Sequence, residues 1–376
     1  MEVSMSKGQL STYALLASLL AVALLACGGP PTGDPGGPGG PGPGPGPGPG
    51  DDTGTILFLG DDSGIIQIIA SGDGGVTALD PLVLPDRARP CGTAVLADRL
   101  YVADWQHEEI YVYDLEAAVG GGAVAPLATV VPDVTSSPYP CGLAFDANGD
   151  LWMGDASDSG RVFTFEDPAS WSGPVHPVPS RVVTITNAGS FERWLDIGDI
   201  AFDGNGSLWV VDEWHETVTR IDDPTALPAN AANVTPSLQI TWVDGEPAGG
   251  GPPYSLWEPT SIAIGVNGSV YVGSDWRTGD QYNLITRYDD VDLVDATGQV
   301  AVEPGAYILA PDPMSRTFSV GIDPDGHLWV ANRERLARLT GTDGTGVLNA
   351  GSAVVFELAG ATSYYGGMTW IAWPTD

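Results

Sequence analysis

The chain has 376 residues, with 14 basic against 48 acidic groups for a net charge of -34, and 43% of its residues are apolar, including 12 Trp. That charge excludes a nucleic-acid or anionic-membrane binder, because neutralising phosphates requires a basic surface. The apolar content excludes a wholly disordered chain. From the amino terminus, a polar stretch carrying Lys7 precedes an apolar run, Leu15–Ala26, broken only by Ser18, and then Cys27-Gly28. Residues 1–26 read as a signal peptide.

Leu24-Leu25-Ala26-Cys27 resembles the bacterial lipoprotein signal, in which a Cys follows small or apolar residues. The resemblance implies a lipidated, palmitate-bearing Cys27 as the first mature residue, anchored to a membrane outside the cytoplasm. Gly28, where an Asp would signal inner-membrane retention, points to the outer membrane or cell surface. An ordinary secretory signal, an uncleaved anchor and a buried helix are the competing readings; the run is short for a span of roughly 20 residues. Residues 27–54 follow as a linker, since 21 of the 23 residues from Gly28 to Gly50 are Gly or Pro. Without a strict third-position glycine it is a spacer and not a collagen-like segment.

The rest of the chain repeats itself. PCGTAVLADRLYVADW begins at Pro90, PCGLAFDANGDLWMGDA at Pro140 and IGDIAFDGNGSLWVVDE at Ile197. EPTSIAIGVNGSVYVGSD begins at Glu258 and RTFSVGIDPDGHLWVANR at Arg316. Aligned on Ala94, Ala144, Ala201, Ala263 and Gly321, the copies lie 50, 57, 62 and 58 residues apart. Third strands are expected at Ile110–Asp114, Arg161–Phe165, Thr217–Ile221 and Ile285–Tyr288, giving about four strands per unit. Gly366–Trp373 reads as the first strand of a unit, and Thr55–Gly60 with Gly64–Ala70 as the second and third strands of one begun elsewhere. Joining them closes a ring of six units without free edges.

The repeat Pro-x-Gly-φ-Ala-φ-Asp-x-x-Gly-x-Leu-Trp-φ-x-Asp resembles the NHL-repeat propellers and, more distantly, the gluconolactonase and streptogramin lyase families. The resemblance covers roughly residues 55–373 and implies an all-β, six-bladed propeller over residues 55–376, with four-stranded antiparallel blades. It implies far less about activity.

Asp146, Asp203 and Asp323 open Asp-x-x-Gly stretches that read as hairpin turns, since the ligand spacing of an EF-hand is absent. Trp152, Trp209 and Trp329, with Tyr101 and Tyr271 in register, read as packing between blades. The residue ending that strand recurs as Asp104, Asp155, Asp212 and Asn332, with Ser274 in register. It is either a loop cap accepting backbone hydrogen bonds or a ring of oxygens holding Ca or Mg. Gluconolactonase-like enzymes hold a channel metal, although their ligand set has no residue-by-residue match here. Cys91 and Cys141 share one repeat position in adjacent units, so a disulfide and two buried free thiols are both open.

Loops entering the first strand and joining second to third strands should open on one face. They carry Trp105, Arg193, Trp194, Trp214, His215, Trp257, Trp276, Arg277, Arg316 and Arg333, together with Arg87, Arg89, Tyr139 and Arg335. Arg and aromatic side chains are what binding hot spots use, against the alternative that they pair and pack among themselves. The leading expectation is a surface-tethered, monomeric, non-catalytic propeller without a cofactor, binding a peptide, a glycan or a small anionic ligand. The other is a lactonase-like hydrolase or streptogramin-lyase-like enzyme using Glu213 and His215 as acid and base, with Ca or Mg in the channel.

Overall fold

The structure, a computed structural model, describes residues 53–61, 63–72, 75–157, 160–185, 197–213, 215–241, 256, 258–274, 284–293, 296–310, 319–332, 335–358 and 368–374. The signal, Cys27 and the Pro/Gly run lie outside the described residues. The rest forms six β-sheets whose innermost strands touch in sequence order around a ring.

Blade 1 takes its innermost strand, Thr369–Pro374, from the carboxyl end and its next two, Thr53–Asp61 and Ile65–Gly72, from the first part of the domain. Blades 2 to 6 begin on Pro90–Leu96, Pro140–Phe145, Ile197–Phe202, Pro259–Ile264 and Ser319–Ile322 and meander outward. The chain is a six-bladed β-propeller closed by both of its ends. The expected third strands are found at Glu109–Asp114, Arg161–Phe165, Thr217–Ile221 and Leu284–Tyr288.

A blade is buried on both faces, so its strands are apolar at successive positions and not only at alternate ones. Six apolar clusters result, one in each seam. Leu100 and Val102 face blade 1 beside Phe58 and Ile66, whereas Tyr101 and Ala103 on the same strand face blade 3 beside Leu151 and Met153. Trp329 packs on Trp370 across the closing seam, ring centroids 4.9 Å apart.

The turns explain why Trp is used. Asp146 Oδ1 accepts from the amides of Asn148 and Asp150, while Oδ2 accepts from the Trp152 indole at 3.1 Å. Asp203 treats Trp209 the same way at 3.0 Å and Asp323 treats Trp329 at 2.8 Å. A buried indole N–H needs such an acceptor. Where no Asp opens the turn, in blades 2 and 5, the residue in register is Tyr101 or Tyr271.

The blades have the expected four antiparallel strands, and most carry one more. Between third and fourth strands the chain sends a short fifth strand back to the preceding blade, parallel to that blade's fourth strand. Gly173–Val175 lies on Ala128–Val130, Asn230–Val234 on Arg181–Ile185, Gly298–Ala301 on Leu238–Thr241, and Gly346–Asn349 on Ala306–Leu309. An isolated parallel bridge, Leu82 to Gly122, does the same between blades 1 and 2. Arg side chains fasten the same inserts. Arg99 donates to the Trp171 carbonyl, Arg181 to Leu227 and Thr225, Arg220 to Leu293 and Ala296, and Arg287 to Thr342 and Gly344.

Replacing Arg220, only 9% exposed, with Ala should cost roughly 1.5–3 kcal/mol, the range for hydrogen bonds to charged groups. Arg220→Lys should recover little, because an ammonium cannot fork between two carbonyls. Asp203→Ala should cost about 1–3 kcal/mol by orphaning the Trp209 N–H. Urea unfolding, read as a shift in midpoint at constant slope, measures all three.

Candidate functional site

In blades 2 to 6 the first residue of the inner strand pairs with the end of the second strand, as Pro90 with Asp104, Pro140 with Asp155 and Ile197 with Asp212. Entry loops and second-to-third loops therefore share one face in the described blades. The Trp105 amide donates to the Arg89 carbonyl at 3.2 Å, and that of Ala156 to the Tyr139 carbonyl at 2.9 Å.

Of the residues expected on this face, Trp105 is half-buried, with the Arg89 guanidinium 5.1 Å from its ring centroid. Arg89 is exposed, and so is Tyr139 at the next entry loop. His215 is buried instead, its side chain 2% exposed and its Nδ1 2.6 Å from Asp212 Oδ2. Glu213 lies half-buried in the turn between them. Arg193, Trp194, Trp214, Trp257, Trp276, Arg277, Arg316 and Arg333 lie outside the described residues.

The four side chains ending the second strands cap loops. Asp104 Oδ1 accepts from the amides of Arg89 and Gln106, and Oδ2 is 2.6 Å from His107 Nδ1. Asp155 Oδ1 accepts from the amides of Tyr139 and Ser157, while Oδ2 takes Nε and a terminal nitrogen of Arg161. Asp212 accepts from the His215 amide and ring, and Asn332 from the Arg335 amide at 2.7 Å. Each carboxylate or amide thus organises its own blade's loop.

Two of these loops share a pattern that sequence reasoning missed, Asp-x-x-His-Glu, at Asp104–Glu108 and Asp212–Glu216. In both, the Glu takes a left-handed backbone, φ 62° at Glu108 and 54° at Glu216. Burial, and then the charge of Glu258, push the Glu216 carboxyl above its ordinary range.

Below this rim the Cys91–Cys141 disulfide ties the inner strands of blades 2 and 3, whose Cα atoms approach to 4.7 Å. Gly92 permits the approach, since a Cβ there would come within 3.0 Å of the Gly142 nitrogen, and Gly142 does the same toward blade 4, where a Cβ would lie 2.8 Å from Asp199 Cα. The channel below holds a cavity of about 250 Å³ lined by Thr93, Asp199, Ile200, Ile262, Met368 and Thr369 among others. Asp199 is 3% exposed; Oδ1 accepts from the Ile200 amide and Oδ2 from the Ile262 amide of blade 5. Burial pushes its carboxyl up to about 7, with the two amides opposing. The signal that could have found it is a charged residue at an inner-strand position that is Gly92, Gly142 and Ser261 in other blades.

On the opposite face, Asp323, Asp325 and His327 bring donor atoms within 4.8 Å of one another. They belong to one hairpin turn, whose Asp323 carboxylate accepts from the Asp325 and His327 amides and the Trp329 indole.

No protein-family profile matches this chain, and none of the curated proteins does. Solved structures do. A protein of unknown function from Bacteroides caccae shares 10% identity over 85% of this chain and 99% of its own, at a TM-score of 0.54. A chain of a Nidogen/Laminin complex shares 13% over 84% and 98%, also at 0.54. A catalytically inactive virginiamycin B lyase from Staphylococcus aureus, solved with Quinupristin, shares 16% over 82% and 85%, at 0.46. At these identities the likeness is one of fold, the six-bladed propeller that the repeat implies.

The Asp199 titration sets a pH dependence. An unfolded Asp titrates near 3.8, so between that value and about 7 the folded chain holds an extra proton. This group's contribution to stability is full below pH 3.8 and is lost as pH rises through 7, by an amount on the order of a few kcal/mol. Urea midpoints measured from pH 4 to 8 should fall for the parent chain relative to Asp199→Ser, which lacks the titrating group.

Proposed function

We propose that this chain is a surface-tethered, non-catalytic binding propeller whose ligand sits on the face formed by the entry and second-to-third loops. The observation that carries this reading is the exposed Arg89 with its guanidinium over the Trp105 ring, and an exposed Tyr139 at the next blade's entry loop. Stacking holds the planar cation in place, so little rotamer entropy remains to be lost when its N–H donors meet an acceptor. In a chain of net charge -34, such a cation on an aromatic platform suits an anionic group carried on a peptide, a glycan or a small molecule. The loop-capping work of Asp104, Asp155, Asp212 and Asn332 favours a face that needs no Ca or Mg. Lipid at Cys27 and the Pro/Gly spacer would hold a monomeric domain off the outer membrane or cell surface while letting it reorient.

One observation favours a second reading. Asp212 fixes the His215 imidazole at 2.6 Å, the orienting contact that general acid-base His residues use. Under that reading the chain opens a lactone or depsipeptide ring, with Glu213 assisting and a divalent ion in the channel.

Screening the full chain against arrays of acidic peptides and anionic glycans separates the two. Arg89→Ala and Trp105→Ala should each weaken the strongest hit tenfold or more, while His215→Ala and a chelator leave it unchanged. Turnover of any lactone that His215→Ala abolishes would transfer the assignment to the second reading. For the anchor, palmitate labelling should be lost in Cys27→Ser, and that variant should move from the membrane to the soluble fraction; retained labelling would refute lipidation at Cys27.

A further inference from the structure

Asp199 performs a seam task that does not require charge. Its Oδ2 accepts from the Ile262 amide of the next blade at 3.0 Å. One blade on, the Ser261 hydroxyl occupies the same register and accepts from the Val320 amide at the same 3.0 Å. In blades 2 and 3 that register holds Gly92 and Gly142, where the inner strands touch backbone to backbone. A hydroxyl or no side chain at all therefore suffices for closing the ring.

Asp199 nonetheless lines the channel cavity, and burying its carboxylate is costly unless something compensates the charge. Among the described residues, its hydrogen bonds come from two neutral amides, and no Arg, Lys or His charge offsets its burial. A buried ionisable group that lines a cleft and is perturbed by its burial is a candidate functional residue.

The remaining wall defines that ligand. Ile200, Ile262 and Met368 are apolar, and the Thr93 hydroxyl donates to that of Thr369, which in turn donates to the Thr93 carbonyl. Ca²⁺ would need six to eight oxygens, and the lining side chains offer four, two from Asp199 and one each from Thr93 and Thr369. A cavity of about 250 Å³ sits just below the range of drug-sized pockets, which suits a molecule of a few heavy atoms. The strongly acidic chain also raises the local concentration of cations at a narrow low-dielectric opening.

We propose that the channel binds a small alkylammonium ion, with the Asp199 carboxylate receiving the ammonium and Ile200, Ile262 and Met368 receiving the hydrocarbon. This site is separate from the outer face and does not depend on that face having a ligand.

Calorimetric titration of the full chain at pH 8 with n-butylammonium chloride tests it, with 1-butanol as the uncharged probe. Asp199→Ser, which keeps a seam acceptor as Ser261 does, should weaken n-butylammonium tenfold or more and leave 1-butanol unaltered. Trp105→Ala should leave both unaltered. Equal n-butylammonium affinity in the parent and Asp199→Ser chains would overturn the proposal, and so would Ca²⁺ binding at Asp199 more tightly than the amine. If Asp199→Ser does not fold, the parent chain is compared at pH 8 and pH 5, because Asp199 is the titratable group among the described lining residues. A tenfold loss at pH 5 supports the site, and equal affinity at the two pH values refutes it.

Discussion

Adhesion between each blade and the next is the constraint on which everything else depends, because a ring of sheets has no common core at its centre. Every seam carries an apolar cluster supplied by both of its blades. Hydrophobic burial is non-directional, so it brings two sheets together without fixing their register. Directional contacts do that at the inner and outer edges. Near the axis, the side chains of Asp199 and Ser261 accept from the neighbouring blade's backbone; at the rim, parallel strands and Arg guanidinium groups tie each insert to the blade before it.

The rim arrangement also answers a hazard of open sheets. A fourth strand with free N–H and C=O groups would invite pairing with another chain. The short parallel strands occupy that edge in blades 2 to 5. Four of the Arg residues that an acidic chain could have shown to solvent are consumed in holding those strands.

Much of this was legible because the repeat compares the chain with itself. The Ala94-to-Gly321 register, the hairpin turns and the closure of blade 1 by both ends follow from periodicity and from turn residues. The pairing of Asp146, Asp203 and Asp323 with Trp, against Tyr101 and Tyr271 where no Asp opens the turn, was visible in the same alignment and acquires its meaning only with the indole hydrogen bonds. The fifth strands were not legible. Segments such as Gly173–Val175 are three residues long, carry no alternation and pair across blades, so their signal resides in the partner. The site divides the same way: Trp105 and Arg89 could be assigned to a face from loop order and Asp199 stands out as a charge where other blades have Gly or Ser, whereas the burial of His215 depends on packing that no local pattern encodes.

The shared sheet of blade 1 has a mechanical consequence. Strand Thr53–Asp61 enters directly after the Pro/Gly run and lies between Thr369–Pro374 and Ile65–Gly72, antiparallel to both. Tension arriving from the amino-terminal side runs along this strand's axis, so the hydrogen bonds of two ladders are loaded together in shear instead of parting one at a time. The point where the domain meets the preceding Pro/Gly run is thereby the place where the ring best withstands being pulled.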